Sequence, residues 1–227
     1  MARSDIRFAA GVHMKQGEGV MSELDLALSI ALGVGLAAAV GFRVFLPLLV
    51  VSVAAYTGNI PLSDGFAWLG TPSVLAMLGV AALVETLAYY IPGVDNLLDA
   101  LATPAAFLAG IVVSAAVMAD LPPMVKWTTA IIAGGGAAGL TQSATALLRL
   151  NSTTLTGGLG NPLIATAEFG GAVLVSLLAL FAPLFALALV VAFCWLAVRF
   201  ARRMFRRAPA ASPAPSPEKG SSGGIGP

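Results

Sequence analysis

The sequence predicts an all-α polytopic membrane protein that crosses the bilayer six times. Of its 227 residues, 58% are hydrophobic and only 10% are charged, and the mean hydropathy is +0.92. An ordinary soluble domain carries about a quarter of its residues as charges. Several apolar runs reach the roughly 20 residues that a helix needs to cross a bilayer. Composition and run length together indicate a chain that is mostly embedded in a membrane.

Proline, glycine and polar residues divide the apolar sequence into six predicted spans. The spans cover residues 26–56, 72–91, 103–119, 125–148, 162–181 and 184–203. Pro183 separates the last two, because one helix across both would be far longer than the ~30 Å hydrocarbon core. We therefore expect a tight hairpin between them.

The first predicted span is too long for one straight crossing. At 1.5 Å per residue it would measure about 45 Å, against a core of ~30 Å. Gly41 and Pro47 lie within it, and both favour a tilt, a kink or a break. We therefore expect a broken first helix, with Arg43 as a permanent cation inside the apolar segment.

The flanking segments set the expected limits of the membrane domain, residues 25–206. Residues 1–24 form a polar N-terminal segment, most of which would be absent if translation began at Met21. Residues 207–227 are rich in Pro, Ser, Gly and Ala, which predicts a disordered cytoplasmic tail. Arginines crowd the end of the last span and predict a cytoplasmic C-terminus in the inner (plasma) membrane. Six spans then place the N-terminus in the cytoplasm as well.

Two short sequence strings that each occur twice suggest that the membrane domain contains two three-helix repeats. Leu-Gly-x-Pro opens span two at 69–72 and span five at 159–162, and a Gly/Ala-rich string recurs at 33–38 and 134–138. Each half would hold three spans, so the second would be inverted relative to the first, a common plan in secondary transporters. Chance similarity between helices rich in small residues explains these recurring strings equally well.

The residue inventory disfavours several classes of site. Cys194 is the only cysteine and His13 the only histidine, so neither a thiolate metal cluster nor Ser-His catalysis is expected. The net charge of +1 indicates no nucleic-acid partner. The polar run at 151–158 lacks the Gly-Lys-Ser/Thr of a phosphate-binding loop. We therefore expect no enzyme activity, no metal and no cofactor.

Four polar residues from four different spans are expected at similar depth in the inner half of the membrane. They are Arg43, Glu85, Gln142 and Glu168. A charge at bilayer depth is costly and usually faces a partner or a wet cavity. One interpretation is a substrate-binding cavity open to the cytoplasm, where Arg43 attracts an anion and a glutamate takes up a proton. The alternative is a buried Arg–Glu pair that only fixes helix packing.

Asp95, Asn96, Asp99 and Asn161 are secondary candidates for the same site. Asp95 and Asp99 are four residues apart, which places them on one face of a short helix. They could bind a cation or gate the cavity. Aspartates in such places more often cap a helix and sit in water.

Three strings in the sequence resemble the signature segments of a family of small bacterial membrane proteins, known as domain of unknown function 4126. The strings are GFRVFLPLL (41–49), IPGVDNLLD (91–99) and TGGLGNPLIATAE (156–168). The resemblance covers roughly residues 24–205 and implies no activity, substrate or cofactor. It implies that eight residues occupy the motif positions of the family: Arg43, Pro47, Asp95, Asn96, Asp99, Asn161, Pro162 and Glu168.

Two classes of function remain. The first is a small transporter for an anionic metabolite or a lipid headgroup, with proton coupling through a glutamate. The second is a non-transporting membrane protein that organises lipid or a partner protein, in which the charges serve structure. Membrane lipids are expected partners in both cases, and a small anionic solute in the first. The sequence does not indicate an oligomeric state.

Overall fold

The computed structural model describes residues 23–91 and 94–206, and every regular element within them is helical. Seven helices follow one another: α1 (Glu23–Val40), α2 (Phe45–Tyr56), α3 (Pro72–Ala88), α4 (Val94–Val117), α5 (Pro123–Thr156), α6 (Asn161–Phe181) and α7 (Pro183–Arg206). A π-helical segment, Ala130–Gly135, interrupts α5, and a short 3₁₀ turn, Ala67–Gly70, precedes α3. The predicted alternative start and the predicted disordered tail lie outside the described residues.

The helices confirm the predicted class, a helical membrane protein. Four of them are long and apolar enough to cross a membrane: Glu23–Val40, Leu97–Val117, Pro123–Thr156 and Asn161–Phe181. Three shorter apolar helices accompany them: Phe45–Tyr56, Pro72–Ala88 and Pro183–Arg199. The predicted count of six spans does not follow from this set, because the first apolar run folds into two helices.

The first apolar run forms a helical hairpin with Arg43 at its tip. The start of α1 lies beside the end of α4, where Ser29 Oγ and Asp120 Oδ2 are 3.5 Å apart. The end of α2 leads into a loop in which Ser63 donates hydrogen bonds to the carbonyls of Ala115 and Ala116, also at the end of α4. The predicted break is therefore present at residues 41–44, and it is a reversal of direction.

Pro47 does not cause this reversal. It is the third residue of α2, in the first turn, where a backbone N–H has no partner within the helix anyway. The chain reverses at Gly41, a position at which no side chain fits. A Cβ on Gly41 would lie 2.4 Å from Thr141 Cβ and 2.5 Å from the carbonyl oxygen of Ala138. Close packing of the hairpin tip on α5 therefore requires glycine here.

The hairpin places the two ends of the described chain at opposite ends of the bundle. We call these the Arg43 end and the Asp120 end. Helix α1 begins at the Asp120 end. Helix α7 packs beside α1 and runs in the same direction, since Gly35 lies against Ala186 while the rings of Phe42 and Phe193 are 5.9 Å apart. Glu23 and Arg206 thus lie at opposite ends of the bundle. The placement of both termini in the cytoplasm stays a prediction, because residues 1–22 and 207–227 lie outside the described residues.

The helix directions do not support the predicted inverted repeat. Gly33 of α1 and Gly134 of α5 both pack against Ser114, and the two helices run in the same direction. In contrast, α3 and α6, which follow the two Leu-Gly-x-Pro strings, run in opposite directions. Glu85 near the end of α3 and Ala165 near the start of α6 both contact the hairpin tip. One rotation cannot relate both α1 to α5 and α3 to α6. The recurring glycine-rich string therefore reflects close packing of α1 and α5 against α4.

Labelling of single cysteines tests the hairpin topology. In a Cys194→Ala background, Glu23→Cys and Asn59→Cys should react with a membrane-impermeant maleimide from the same side of the membrane. Arg203→Cys should react only from the other side. Labelling after permeabilisation controls for reactivity. If the cysteines at 23 and 203 are labelled from the same side, the six-span arrangement is correct and the hairpin is not.

The close contact at the hairpin tip makes a second prediction. Gly41→Ala should lower the free energy of unfolding by about 1–3 kcal/mol, because the added methyl group overpacks a tight contact. Gly79→Ala is the matched control, since nothing lies within 4 Å of its Cβ position in α3. The control should be neutral or stabilising by up to about 1 kcal/mol. Thermal unfolding in detergent measures both, and equal melting temperatures would contradict the tight contact.

Candidate functional site: a buried ion-pair cluster at the hairpin tip

Two buried arginines meet one glutamate at the Arg43 end of the bundle. Arg43 comes from the hairpin tip and Arg149 from α5, and they are 1% and 2% exposed. Arg149 Nε donates to Glu168 Oε1 at 3.0 Å, and its Nη2 contacts Glu168 Oε2. Arg43 Nη2 lies 3.7 Å from the same Oε2 and donates to the carbonyl of Ala165 at 3.0 Å. Glu168 of α6 thus joins three segments of the chain.

Tyr89 and Asp99 complete the cluster. The guanidinium carbons of Arg43 and Arg149 lie 3.9 and 4.0 Å from the centroid of the Tyr89 ring, within the range of a cation–π interaction. Asp99 Oδ1 lies 3.3 Å from Arg149 Nη1. The two cations and the two carboxylates, Glu168 and Asp99, cancel in formal charge. The cluster can therefore remain buried at bilayer depth without a net charge.

The prediction missed Arg149 and Tyr89. The predicted fourth span ends at residue 148, whereas α5 continues to Thr156 and buries Arg149. A signal was present, because the buried residues Gln142, Thr145 and Arg149 follow the i, i+3, i+7 spacing of one helical face. No comparable signal marks Tyr89, which follows the last residue of α3.

Glu85 lies beside the cluster and binds backbone groups. Its Oε1 accepts a hydrogen bond from the Val44 N–H at 2.7 Å, and its Oε2 accepts one from the Phe45 N–H at 3.1 Å. These N–H groups are at the N-terminus of α2, where the helix has no partner of its own for them and its dipole favours a negative charge. Glu85 therefore caps α2 from another helix and fixes the direction in which the chain leaves Arg43.

Gln142 is buried on α5, two turns before Arg149. Its backbone nitrogen would lie 3.0 Å from a Cβ on Gly41, so it borders the hairpin tip through its main chain. The described contacts of Arg43 go to Ala165, Glu168 and Tyr89. Of the four primary candidates, Arg43 and Glu168 thus contact one another, while Glu85 and Gln142 flank them.

The secondary candidates divide between two places. Asp99 belongs to the ion-pair cluster. Asp95 and Asn161 form a neighbouring network, in which Asn161 Nδ2 donates to Asp95 Oδ2 at 2.6 Å and to Thr153 Oγ1 at 3.0 Å. This network ties the starts of α4 and α6 to the end of α5. Asn96 lies in α4, and its side chain is not among the described ones.

Arg43 keeps unused hydrogen-bonding capacity. Its Nε and Nη1 atoms are buried and have no hydrogen-bond partner among the described residues. A guanidinium group binds oxygens of carboxylate and phosphate groups through several parallel N–H donors. The described contacts of Arg43 therefore leave two of its donors without an acceptor. Among the described residues, no group of His, Cys, Asp or Glu side chains is suited to hold a metal ion.

The chain belongs to the family described as domain of unknown function DUF4126, whose model matches residues 30–203. This match confirms the resemblance of the three signature strings. It covers every residue of the ion-pair cluster. No curated protein and no solved structure shows a significant match to the chain.

Removal of one member of the cluster should be more harmful than removal of an oppositely charged pair. Arg149→Met leaves Asp99 without its ion-pair partner and Glu168 with Arg43 alone, so the free energy of unfolding should fall by about 3–5 kcal/mol. The double variant Arg149→Met/Glu168→Gln removes one charge of each sign and should recover a large part of that loss. Denaturation in mixed micelles measures both.

Arg202→Met, an exposed arginine of α7, is the control and should change the stability by less than about 1 kcal/mol. If the double variant is less stable than Arg149→Met by the full cost of a second deletion, the two side chains do not act as a pair.

Proposed function

We propose that the protein is a membrane transporter for an anionic metabolite or an anionic lipid headgroup, with Arg43 as the anion-binding group. The observation that carries the proposal is the pair of unpartnered donors, Nε and Nη1, on a buried guanidinium group. A buried donor without a partner costs about 1–3 kcal/mol, and more when it is charged. An oxyanion would supply the missing acceptors, and its binding energy would offset this cost.

The helical hairpin supports a transport function. Secondary transporters commonly place their substrate at interrupted helices, where backbone groups and helix ends reach the interior of the bundle. Arg43 occupies such an interruption, between the end of α1 and the start of α2. The tip is held by contacts to α3, α5 and α6, so a change at the anion site would act on all three helices.

We infer that the Arg43 end faces the cytoplasm in the inner membrane. The exposed side chains of Arg199, Arg202 and Arg203 lie on the half of α7 that reaches this end. The Asp120 end carries exposed acidic residues instead: Glu23, Asp25, Asp64 and Asp120. An excess of Arg and Lys marks cytoplasmic loops, so this charge asymmetry favours a cytoplasmic C-terminus. The start of α1 is then outside.

Glu168 is the candidate for proton coupling. It compensates both arginines, so its protonation would leave two cations next to Tyr89, with the carboxylate of Asp99 in contact with Arg149 alone among the described ion pairs. An anionic substrate restores the balance, which links uptake of a proton to binding of an anion. This link requires Glu168 to be reached by protons during the transport cycle.

A second candidate function is a non-transporting protein that organises lipid or a partner protein. The charge balance within the cluster favours it, because Arg43, Arg149, Glu168 and Asp99 already compensate one another. Such a network can serve helix packing alone.

Transport by reconstituted protein decides between the two functions. Vesicles that contain the wild-type protein should move at least one of three probes: inorganic phosphate, succinate or a fluorescent phosphatidylglycerol. Arg43→Lys keeps the positive charge but loses the planar guanidinium group with its parallel N–H donors. It should reduce the rate of probe transport ten- to hundredfold, as expected for a lost charge-assisted hydrogen bond. Arg202→Lys is the matched control and should leave the rate unchanged.

Glu168→Gln should change the pH dependence of the same rate. A rate that keeps the wild-type pH profile in this variant removes proton coupling and retains the anion site. If folded wild-type protein moves none of the three probes, the transporter proposal is wrong and the organising role remains.

A further inference from the structure

An apolar groove of about 770 Å³ runs between α3 and α4 on the surface of the bundle. α3 packs mainly on α2 and α4 packs mainly on α5, which leaves the space between α3 and α4 open. Its walls include Val80, Val84, Leu98 and Leu101. Val80 and Val84 are 63% and 58% exposed, so in a membrane the groove opens sideways to the lipid chains. Its volume lies within the range of about 300–1,000 Å³ that is usual for sites of small organic ligands.

The carboxylate of Glu85 gives this groove a negative end. Glu85 is the one charged side chain among the described residues that line the groove, and it is partly exposed there. The groove reaches the start of α2, where Glu85 binds backbone N–H groups. Helix α2 has 12 residues and rises about 18 Å from the loop that follows Tyr56, which is less than the ~30 Å core. The carboxylate therefore lies at bilayer depth, in a groove that lipid-soluble molecules can enter.

The charge of Glu85 is compensated only in part. The two arginines and the two carboxylates of the ion-pair cluster already cancel in formal charge, and none of the described ion pairs includes Glu85. The dipole of a helix places the equivalent of about half a positive charge at its N-terminus, so the contact with α2 offsets part of a full negative charge. Each carboxylate oxygen accepts one backbone hydrogen bond and has further lone pairs. A cation in the groove would supply the remaining compensation.

An aromatic residue lies next to this carboxylate. Phe45 lines the groove and is 38% exposed, and its backbone N–H donates to Glu85 Oε2 at 3.1 Å. The face of an aromatic ring attracts cations, including the quaternary centres of organic ligands. The groove thus combines a carboxylate, an exposed aromatic ring and a long apolar wall. These three features together favour a ligand that is both positively charged and apolar.

We propose that the groove between α3 and α4 binds an apolar organic cation that enters sideways from the membrane. Its charged centre lies beside Glu85 and Phe45, and its apolar groups lie against the walls formed by Val80, Val84 and Leu101. The charge complementarity is that of a single carboxylate in an apolar surrounding. The site uses no donor of Arg43, so the proposal does not depend on the proposed transport of anions.

Two ions of the same shape and opposite charge test the proposal. Purified full-length protein in a non-ionic detergent is dialysed to equilibrium against tetraphenylphosphonium or against tetraphenylborate. Protein-free micelles give the background of each ion, which is subtracted. We expect one tetraphenylphosphonium per chain, at an affinity at least tenfold above that of tetraphenylborate.

Two variants locate the binding site within the groove. Glu85→Gln removes the negative charge and should weaken the binding of tetraphenylphosphonium at least tenfold. Val84→Trp fills the groove and should weaken it about tenfold, the ratio expected when roughly two methylene groups lose their burial. Val84→Trp leaves the cap of α2 in place, so it decides the outcome if Glu85→Gln does not fold.

Each variant has a matched control. Leu83 neighbours Val84 in α3, is similarly exposed at 60%, and does not line the groove, so Leu83→Trp should leave the affinity within twofold of the wild type. Asp120→Asn removes an exposed negative charge at the other end of the bundle and should also leave the affinity within twofold. Melting temperatures in detergent show which variants are folded.

Four results would overturn the proposal. They are the absence of tetraphenylphosphonium binding by folded wild-type protein, equal affinities for the two ions, full affinity in folded Glu85→Gln, and an equal loss in Val84→Trp and Leu83→Trp. A dimer that Val84→Trp dissolves would also contradict it, since a second copy would then occupy the groove. Binding of tetraphenylphosphonium by protein that moves no anionic probe supports the groove and removes anion transport, whereas movement of phosphate without such binding does the opposite.

Discussion

The ion pairs of Glu168 with two arginines are the interaction on which the rest of this structure depends. Arg43 and Arg149 lie against the same tyrosine ring, so without a shared carboxylate two buried cations would repel each other at short range. Glu168 removes that repulsion, and Asp99 brings the formal charge of the cluster to zero. These residues come from the hairpin tip, α4, α5 and α6. Charge compensation therefore fixes the relative positions of four segments that hydrophobic packing alone would hold only loosely, since lipid is as apolar as the helix surfaces.

The hairpin is the second constraint, and it depends on two contacts that make a reversal within the apolar region tolerable. A reversal exposes N–H groups at the start of the second helix, and in hydrocarbon each of them needs a partner. Glu85 supplies that partner for Val44 and Phe45. Gly41 lets the tip approach α5 to a distance at which no side chain fits. Glu85, one of the acids that the sequence suggests as a partner of Arg43, thus serves mainly to cap the start of α2. This cap fixes the position of Arg43 as a consequence.

Charge compensation does not use all of the hydrogen-bonding capacity of the cluster. Among the described residues, Nε and Nη1 of Arg43 and Nη1 of Arg149 are buried without a hydrogen-bond partner. Ion pairing therefore accounts for the positions of the two arginines and leaves these donors without an acceptor.

The sequence by itself determined the class of protein, the presence of costly charges in apolar runs and the break beside Arg43. These conclusions follow from local properties, namely composition, run length and the residues Gly41 and Pro47. It also identified the family, and it named Arg43 and Glu168 among four primary candidates for one site, with Asp99 as a secondary candidate. Only the tertiary structure decided that the break is a reversal, that Arg149 and Tyr89 join the site, that Glu85 caps a helix, and that the glycine-rich echoes are packing contacts. Each of these depends on which helix lies next to which. Hydropathy reports how deep a residue can lie, and helical periodicity reports the face on which it lies. Neither contains the direction in which the chain continues after a break, and that direction determines which charges meet.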